Sequence, residues 1–230
     1  MLFVNSEISL AEVKDAINSL GNKKAAVGSD GISYILLKHL PEQWIINFHV
    51  IINKCWKEDI LPDSWKTSII IPLLKSGKNR SDPTSYRPIA LTSHSGKTME
   101  KIILNRLTYF CEKNNIIPTN QAGFRKGRCT IDHLVKLSTQ VKKQFARRKS
   151  TLATFFDVRK AYDRVWHSRL LFKLKNIGLS GHMYGYIKSF LDDRKIMTKV
   201  GNSYSTTYNT NMGIPQGSII SPLLFNILLF

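Results

Sequence analysis

Thr154-Phe-Phe-Asp-Val-Arg-Lys-Ala-Tyr-Asp-Arg-Val-Trp-His167 is the stretch whose reading decides the fold. An apolar, β-prone run over Leu152, Ala153, Thr154, Phe155 and Phe156 leads to one carboxylate, Asp157, where the strand character stops. A buried strand that ends in an acid holds that carboxylate rigidly at the edge of a cleft. Metal-assisted phosphoryl transfer needs such an acid, because Mg²⁺ takes few protein ligands and demands near-octahedral geometry. By itself the pattern also fits an Asp that merely caps the following helix. A second stretch, Gly213-Ile-Pro-Gln-Gly-Ser-Ile-Ile-Ser-Pro-Leu-Leu-Phe225, separates the two readings.

At these two stretches the chain resembles the reverse transcriptase of non-LTR, LINE-type retrotransposons of the jockey-like group. The first is similar to that family's first metal-binding motif, and the second to its nucleotide-positioning loop. Three further segments fit: Gly28-Ser-Asp-Gly-Ile32, Tyr86-Arg-Pro-Ile-Ala-Leu-Thr92 of the first fingers motif, and Asn120-Gln-Ala-Gly-Phe-Arg125 in the template path. The resemblance implies an α+β, right-hand polymerase fold with fingers and a partial palm. Residues 1–64 would form an N-terminal helical extension, 65–150 the fingers with the template-binding segment, and 151–230 the partial palm.

The resemblance also implies roles. Asp157 would bridge two Mg²⁺ ions (Mn²⁺ as an alternative), and the backbone carbonyl of Val158 would assist one. Tyr162 would sit under the sugar and exclude a 2′-hydroxyl, selecting dNTPs. Gln216 and Gly217 would hold the nucleotide and template base in line. The implied partners are an RNA template and a DNA primer, and the implied compartment is intracellular, nuclear or cytoplasmic. Lys160 and Asp163 are read as structural. Group II intron maturases and viral RNA polymerases share the palm logic. Tyr162 and the Pro-Gln-Gly loop argue against the viral enzymes, and the wording of Tyr86–Thr92 and Asp157–His167 against the maturases.

Charge supports a polyanionic partner. Formal net charge is +18, and the segment from Lys75 to Lys149 holds 17 basic and 4 acidic residues. A basic face kept only for solubility is the plainer reading, and a binding module without chemistry is a further one. Lys75, Lys78, Arg80 and Arg87 would surround the tip of a hairpin between strands at Trp65–Leu74 and Tyr86–Thr92. A cationic clamp there suits a triphosphate, and the resemblance implies Arg87 and Lys75 as its contacts. Downstream, Gly123 and Gly127 allow close approach and Phe124 offers a stacking face. Arg125, Lys126 and Arg128 would hold the phosphates of a single-stranded template.

Helices are expected within residues 5–21, with a Ser9/Glu12 capping box and Gly21 as the stop, and at Ser33–Leu40, Gln43–Glu58, Gly96–Lys113, Ile131–Lys149, His167–Ile177 and Ser180–Leu191. Trp44, Ile45, Phe48, Ile52 and Trp56 are expected in the core, as are Leu134, Val135, Leu137, Val141 and Phe145. Lys195–Val200 and Ser205–Thr210 read as a hairpin, and Asp192-Asp193 as a surface or capping pair. Cys55, Cys111 and Cys129 read as free thiols of a reducing compartment. No signal peptide or membrane span is expected.

The apolar helix from Ser218 to Phe230 reads as cut short. The family's second carboxylate motif, an aromatic-Ala-Asp-Asp, is not among these residues, and no acid follows Asp193. A single carboxylate cannot hold two hydrated Mg²⁺ ions against their repulsion. The chain alone is therefore expected to be catalytically inert, either as part of a polymerase or as the relic of a decayed element.

Overall fold

The computed structural model describes residues 2–21 and 26–229; Lys23–Ala25 of the turn before Ile32, and Phe230, lie outside them. Helices α1 (Leu2–Asn5), α2 (Leu10–Ser19), α3 (Tyr34–Lys38) and α4 (Glu42–Glu58) come first. The predicted capping box starts α2: the Ser9 side chain accepts from the Glu12 amide, and the Ser9 amide donates to the Glu12 carboxylate at 2.9 Å. Val13, Ala16 and Ile17 are buried on one face. On α4, Ile52 and Trp56 are fully buried and Ile45 and Phe48 pack against the core, whereas Trp44 is exposed. Trp44 sits in the first turn of α4 with most of its surface in solvent.

A short α5 (Asp63–Lys66) leads into β1 (Thr67–Leu74), which pairs antiparallel with β2 (Tyr86–Leu91). The pairing sets Leu73 against Arg87 and Leu74 against Tyr86, so the predicted basic hairpin forms. From β2 the chain enters α6 (His94–Lys113), whose Met99, Ile102, Ile103 and Leu107 are sealed in the core. After α7 (Thr130–Ala146) come α8 (His167–Asn176) and α9 (Gly181–Leu191). Strand β3 (Arg194–Val200) then lies parallel to β1, and β4 (Ser203–Tyr204) and β5 (Tyr208–Thr210) pair antiparallel to it. Helix α10 (Ser221–Leu229) follows. The architecture is thus mixed α and β, with one mixed sheet ordered β2-β1-β3 and β4 and β5 beyond.

The helices carry the core: Leu170, Leu174, Met183, Ile187, Phe190 and Leu224 join those of α4 and α6. Each such side chain contributes about 1.5–3 kcal/mol relative to exposure. Arg106 of α6 lies inside this packing, 2% exposed. Its guanidinium grips both Glu12 carboxylate oxygens at 2.7 and 2.8 Å and donates to the Ser6 and Glu7 carbonyls. Its carbon lies 5.7 Å from the Phe3 ring centroid and 5.6 Å from that of Trp56. One side chain therefore ties the N-terminal turn to the central helix.

Two further sequence expectations are overturned. The run Leu152–Phe156 forms no strand, and Leu152 and Phe156 are 94% and 92% exposed. A strand exists only by pairing its backbone, and this run meets no partner among the described residues. Helix α7 forms as expected, but the face meant for the core is open: Leu134, Val135, Leu137 and Phe145 are all exposed, and no α7 residue is buried. Periodicity of 3.6 dictates that a helix has an apolar face; it does not supply a covering element. Cys55 and Cys111 are buried thiols and Cys129 an exposed one, all unpaired as expected. Among the described residues no helix is long and apolar enough to cross a membrane.

Candidate active site

One cavity of about 650 Å³ opens between the β1–β2 hairpin, the 157–163 turn and the loop before α10. Its lining includes Lys75, Arg87, Asp157, Val158, Tyr162 and Gln216. Local chemistry explains how each arrives there. Lys75 follows β1; its amide donates to the Ser85 carbonyl and its Nζ to the Thr84 carbonyl at 2.8 Å, which closes the hairpin base. The Asp82 carboxylate caps the turn by accepting from the Thr84 hydroxyl and amide, and these bonds hold its pKa below the usual range. Arg87 stands exposed on β2.

Asp157 and Val158 are exposed on the irregular segment, so the acid faces solvent without the strand expected to support it. Lys160 then adopts a left-handed conformation, φ 54°, and its carbonyl accepts from the Arg164 amide, turning the chain back. Tyr162 is half-buried and its ring stacks on Phe225 of α10, centroids 5.5 Å apart and planes 19° apart. Burial raises the pKa of its phenol, so the ring stays neutral. Its carbonyl accepts the Ile214 amide at 2.9 Å, and the Val165 carbonyl accepts that of Gly213 at 2.8 Å. The Nε2 of His167 donates to the Gly213 carbonyl at 2.7 Å. These bonds lock the two defining stretches of the sequence together.

The loop is also seated on the sheet. The Ala90 amide of β2 donates to the Gln216 carbonyl at 3.0 Å. Gly217 follows with φ 151°, and any Cβ there would collide with the Ala90 carbonyl oxygen. Gly217→Ala should cost about 1–3 kcal/mol, with Tm falling about 2–4 °C for each kcal/mol. A Tm within 1 °C of the parent by calorimetry would mean that the seat absorbs a methyl group.

None of Gly123, Phe124, Arg125, Lys126 and Arg128 lines that cavity. Phe124 is exposed at φ 55° and Lys126 and Arg128 are exposed, as a surface contact requires. Arg125 differs: its guanidinium holds both Glu112 oxygens at 2.8 and 2.6 Å and donates to the Pro118 carbonyl. That pairing, led by the hydrogen bond to Glu112, raises the pKa of Arg125 and makes it a brace for the turn. The Gly123 carbonyl accepts from the buried Asn226 Nδ2 at 2.9 Å, so α10 fixes this segment too. Asn226 carried no sequence signal, being one amide among leucines. Arg194, directly after the Asp192-Asp193 pair, is 3% exposed and donates to the Phe190 carbonyl and Ser68 hydroxyl.

The donor set suits a hard divalent cation in kind: a carboxylate and an adjacent backbone carbonyl, both oxygen. It is also sparse, since no group of three or more His, Cys, Asp or Glu gathers at one place among the described residues.

The reverse transcriptase (RNA-dependent DNA polymerase) family matches residues 74–229, which take in the turn and second strand of the hairpin, the 157–163 turn and the 213–217 loop. The chain belongs to this family. It is 37% identical over 220 residues to the Drosophila melanogaster protein named "Probable RNA-directed DNA polymerase from transposon BS", covering 96% of this chain and 24% of that one. It is 36% identical to the X-element counterpart from the same species, covering 93% and 23%. It is 34% identical to the RNA-directed DNA polymerase from mobile element jockey, covering 96% and 24%. The chain thus spans about a quarter of the length of the curated relatives it matches. It is a reverse transcriptase domain of the non-LTR retrotransposon type, an enzyme by family, and that family works with divalent metal ions.

Proposed function

We propose that the cavity lined by Lys75, Arg87, Asp157, Val158, Tyr162 and Gln216 is the nucleotide and metal site of an RNA-directed DNA polymerase. The observation that carries this reading is convergence. Residues from 75 to 216, chosen from separate motifs, line a single cleft. Lys75 and Arg87 supply positive charge for the triphosphate. The Tyr162 ring, held by Phe225, forms a floor that excludes a 2′-hydroxyl. Gln216 and Gly217, seated on Ala90, align the base. Asp157 and the Val158 carbonyl would hold Mg²⁺, which supplies charge stabilisation at the transferring phosphoryl group.

Template RNA would run along Gly123, Phe124, Lys126 and Arg128, with Arg125 bracing the turn. Residues 65–150 would act as fingers and 151–230 as part of a palm, in a right-hand arrangement behind the helical extension of 1–64. The sheet joins the last two segments, because β1 pairs with β3. With one carboxylate in place, the 230 residues alone bind nucleotide without incorporating it.

Binding of a fluorescent dATP analogue (mant-dATP) with Mg²⁺ tests the site. Arg87→Ala should weaken it about 10–100-fold, the worth of a charge-assisted bond of about 1.5–3 kcal/mol. Lys54→Ala, on the exposed face of α4, should change nothing. Equal loss in both variants, or in neither, would refute the assignment.

A further inference from the structure

The best-buried carboxylate near the site takes no part in the scheme above. Glu100 of α6 is 3% exposed. Its Oε2 accepts from the Ser218 hydroxyl at 2.7 Å and from the Ile219 amide at 2.7 Å. These donors come directly after Gly217, while Ala90 holds Gln216 from the other side. We propose that Glu100 is a positioning residue that clamps the far end of the 213–219 loop, so that Gln216 and Gly217 present a fixed edge to the nucleotide.

Three features support this. First, Glu100 and Ala90 lie on consecutive elements, β2 and α6, so the loop is gripped at two points by one rigid unit. Second, both bonds converge on a single oxygen in a water-poor pocket, where an unpaired acceptor or donor is costly. Third, burial raises the Glu100 pKa, while the Ser218 and Ile219 bonds and the Arg194 and Lys97 cations oppose that rise. Arg194 is itself sealed in the core against Phe190, so the counter-charge is immobile. A carboxylate surrounded in this way is a fixed anchor, and its sequence context, an acid among the buried residues of α6, is otherwise unexplained.

The proposal rests on the nucleotide reading, and its test separates the two. Backbone hydrogen exchange is followed at Gly217, Ser218 and Ile219, and at Ile103 and Leu107 as a core reference, alongside Mg²⁺·mant-dATP affinity. Glu100→Leu should speed exchange at the three loop amides at least about tenfold, leave the reference amides protected, and weaken nucleotide binding about 3–10-fold. Ser218→Ala, which spares the buried charge, should shift both readouts in the same direction by less. Glu100→Gln keeps an acceptor oxygen and should restore both to within about threefold of the parent.

Faster exchange throughout α6 and α9 would reduce Glu100 to a general core residue and overturn the proposal. So would unchanged exchange at the loop. Unchanged affinity for Glu100→Leu where Arg87→Ala still weakens binding overturns the clamp alone. Unchanged affinity for Arg87→Ala as well overturns the nucleotide reading and the clamp's function together.

Discussion

Asp157→Ala, introduced into a chimaera in which residues 1–230 replace the matching segment of the transposon BS polymerase, is expected to lower dNTP incorporation by at least about 10³-fold. The expectation follows from the charge that a metal ligand controls. Stabilising the transferring phosphoryl group is worth several kcal/mol, and about 4 kcal/mol corresponds to about a thousandfold in rate. Asp157 is exposed on an irregular segment, so its loss should leave Tm within about 1 °C and the template affinity intact. A variant that kept more than a tenth of the parent rate on an RNA template would remove Asp157 from the chemistry. The 230 residues alone should give no incorporation, with or without Asp157.

That residues from separate stretches would share one cleft was legible in the sequence, through a resemblance that covers those stretches. Gly217 also has a physical reason: a loop that must pass close to a strand carbonyl leaves no room for a side chain. Tyr162 and Gln216 were singled out by the resemblance, and the bonds from the Ile214 amide to Tyr162 and from the Gly213 amide to Val165 hold the two stretches together. What could not be read is what covers an apolar face. Leu152–Phe156 and the α7 face have the composition of core and lie open, since pairing and packing are settled by distant chain and not by the segment itself. Buried charges were illegible for a related reason. Arg106 and Glu12 are 94 residues apart, Glu100 and Ser218 are 118 apart, and no local pattern announces either pair.

Arg106→Ala should be the most destabilising single change outside the site. Truncating one partner of a buried pair leaves the other partly buried and unpaired, and costs about 3–5 kcal/mol. At this chain length that is a Tm loss of about 6–20 °C. Arg106→Lys should recover only part, because an ammonium cannot hold both Glu12 oxygens in a fork. The pair also predicts a pH dependence. Burial alone would raise the Glu12 pKa, but the bonds from Arg106 and Ser9 outweigh it and hold the carboxyl below its ordinary value. A depressed carboxylate pKa gives stability that is fully present above the unfolded-state value and is lost as pH falls through the folded-state value. Urea unfolding at pH 7 should therefore separate parent from Arg106→Ala widely, and the gap should narrow as pH drops through and below the ordinary glutamate range. A gap that stayed constant down to pH 2 would mean that Arg106 acts through its bonds to the Ser6 and Glu7 carbonyls and its packing against Phe3 and Trp56, and not through Glu12.

The parallel pairing of β1 with β3 sets the order in which this protein can be made. Thr67 faces Lys195 across that ladder, and Gln216 must arrive before Ala90 has its partner. While a ribosome extends the chain from Leu74 to Gln216, at about 5–20 residues per second, the edge of the β1–β2 hairpin waits roughly ten seconds for its neighbour. Few of the contacts that define the cleft are local, so it closes late. Until then the nascent chain presents a bare strand edge and a highly basic stretch to solvent.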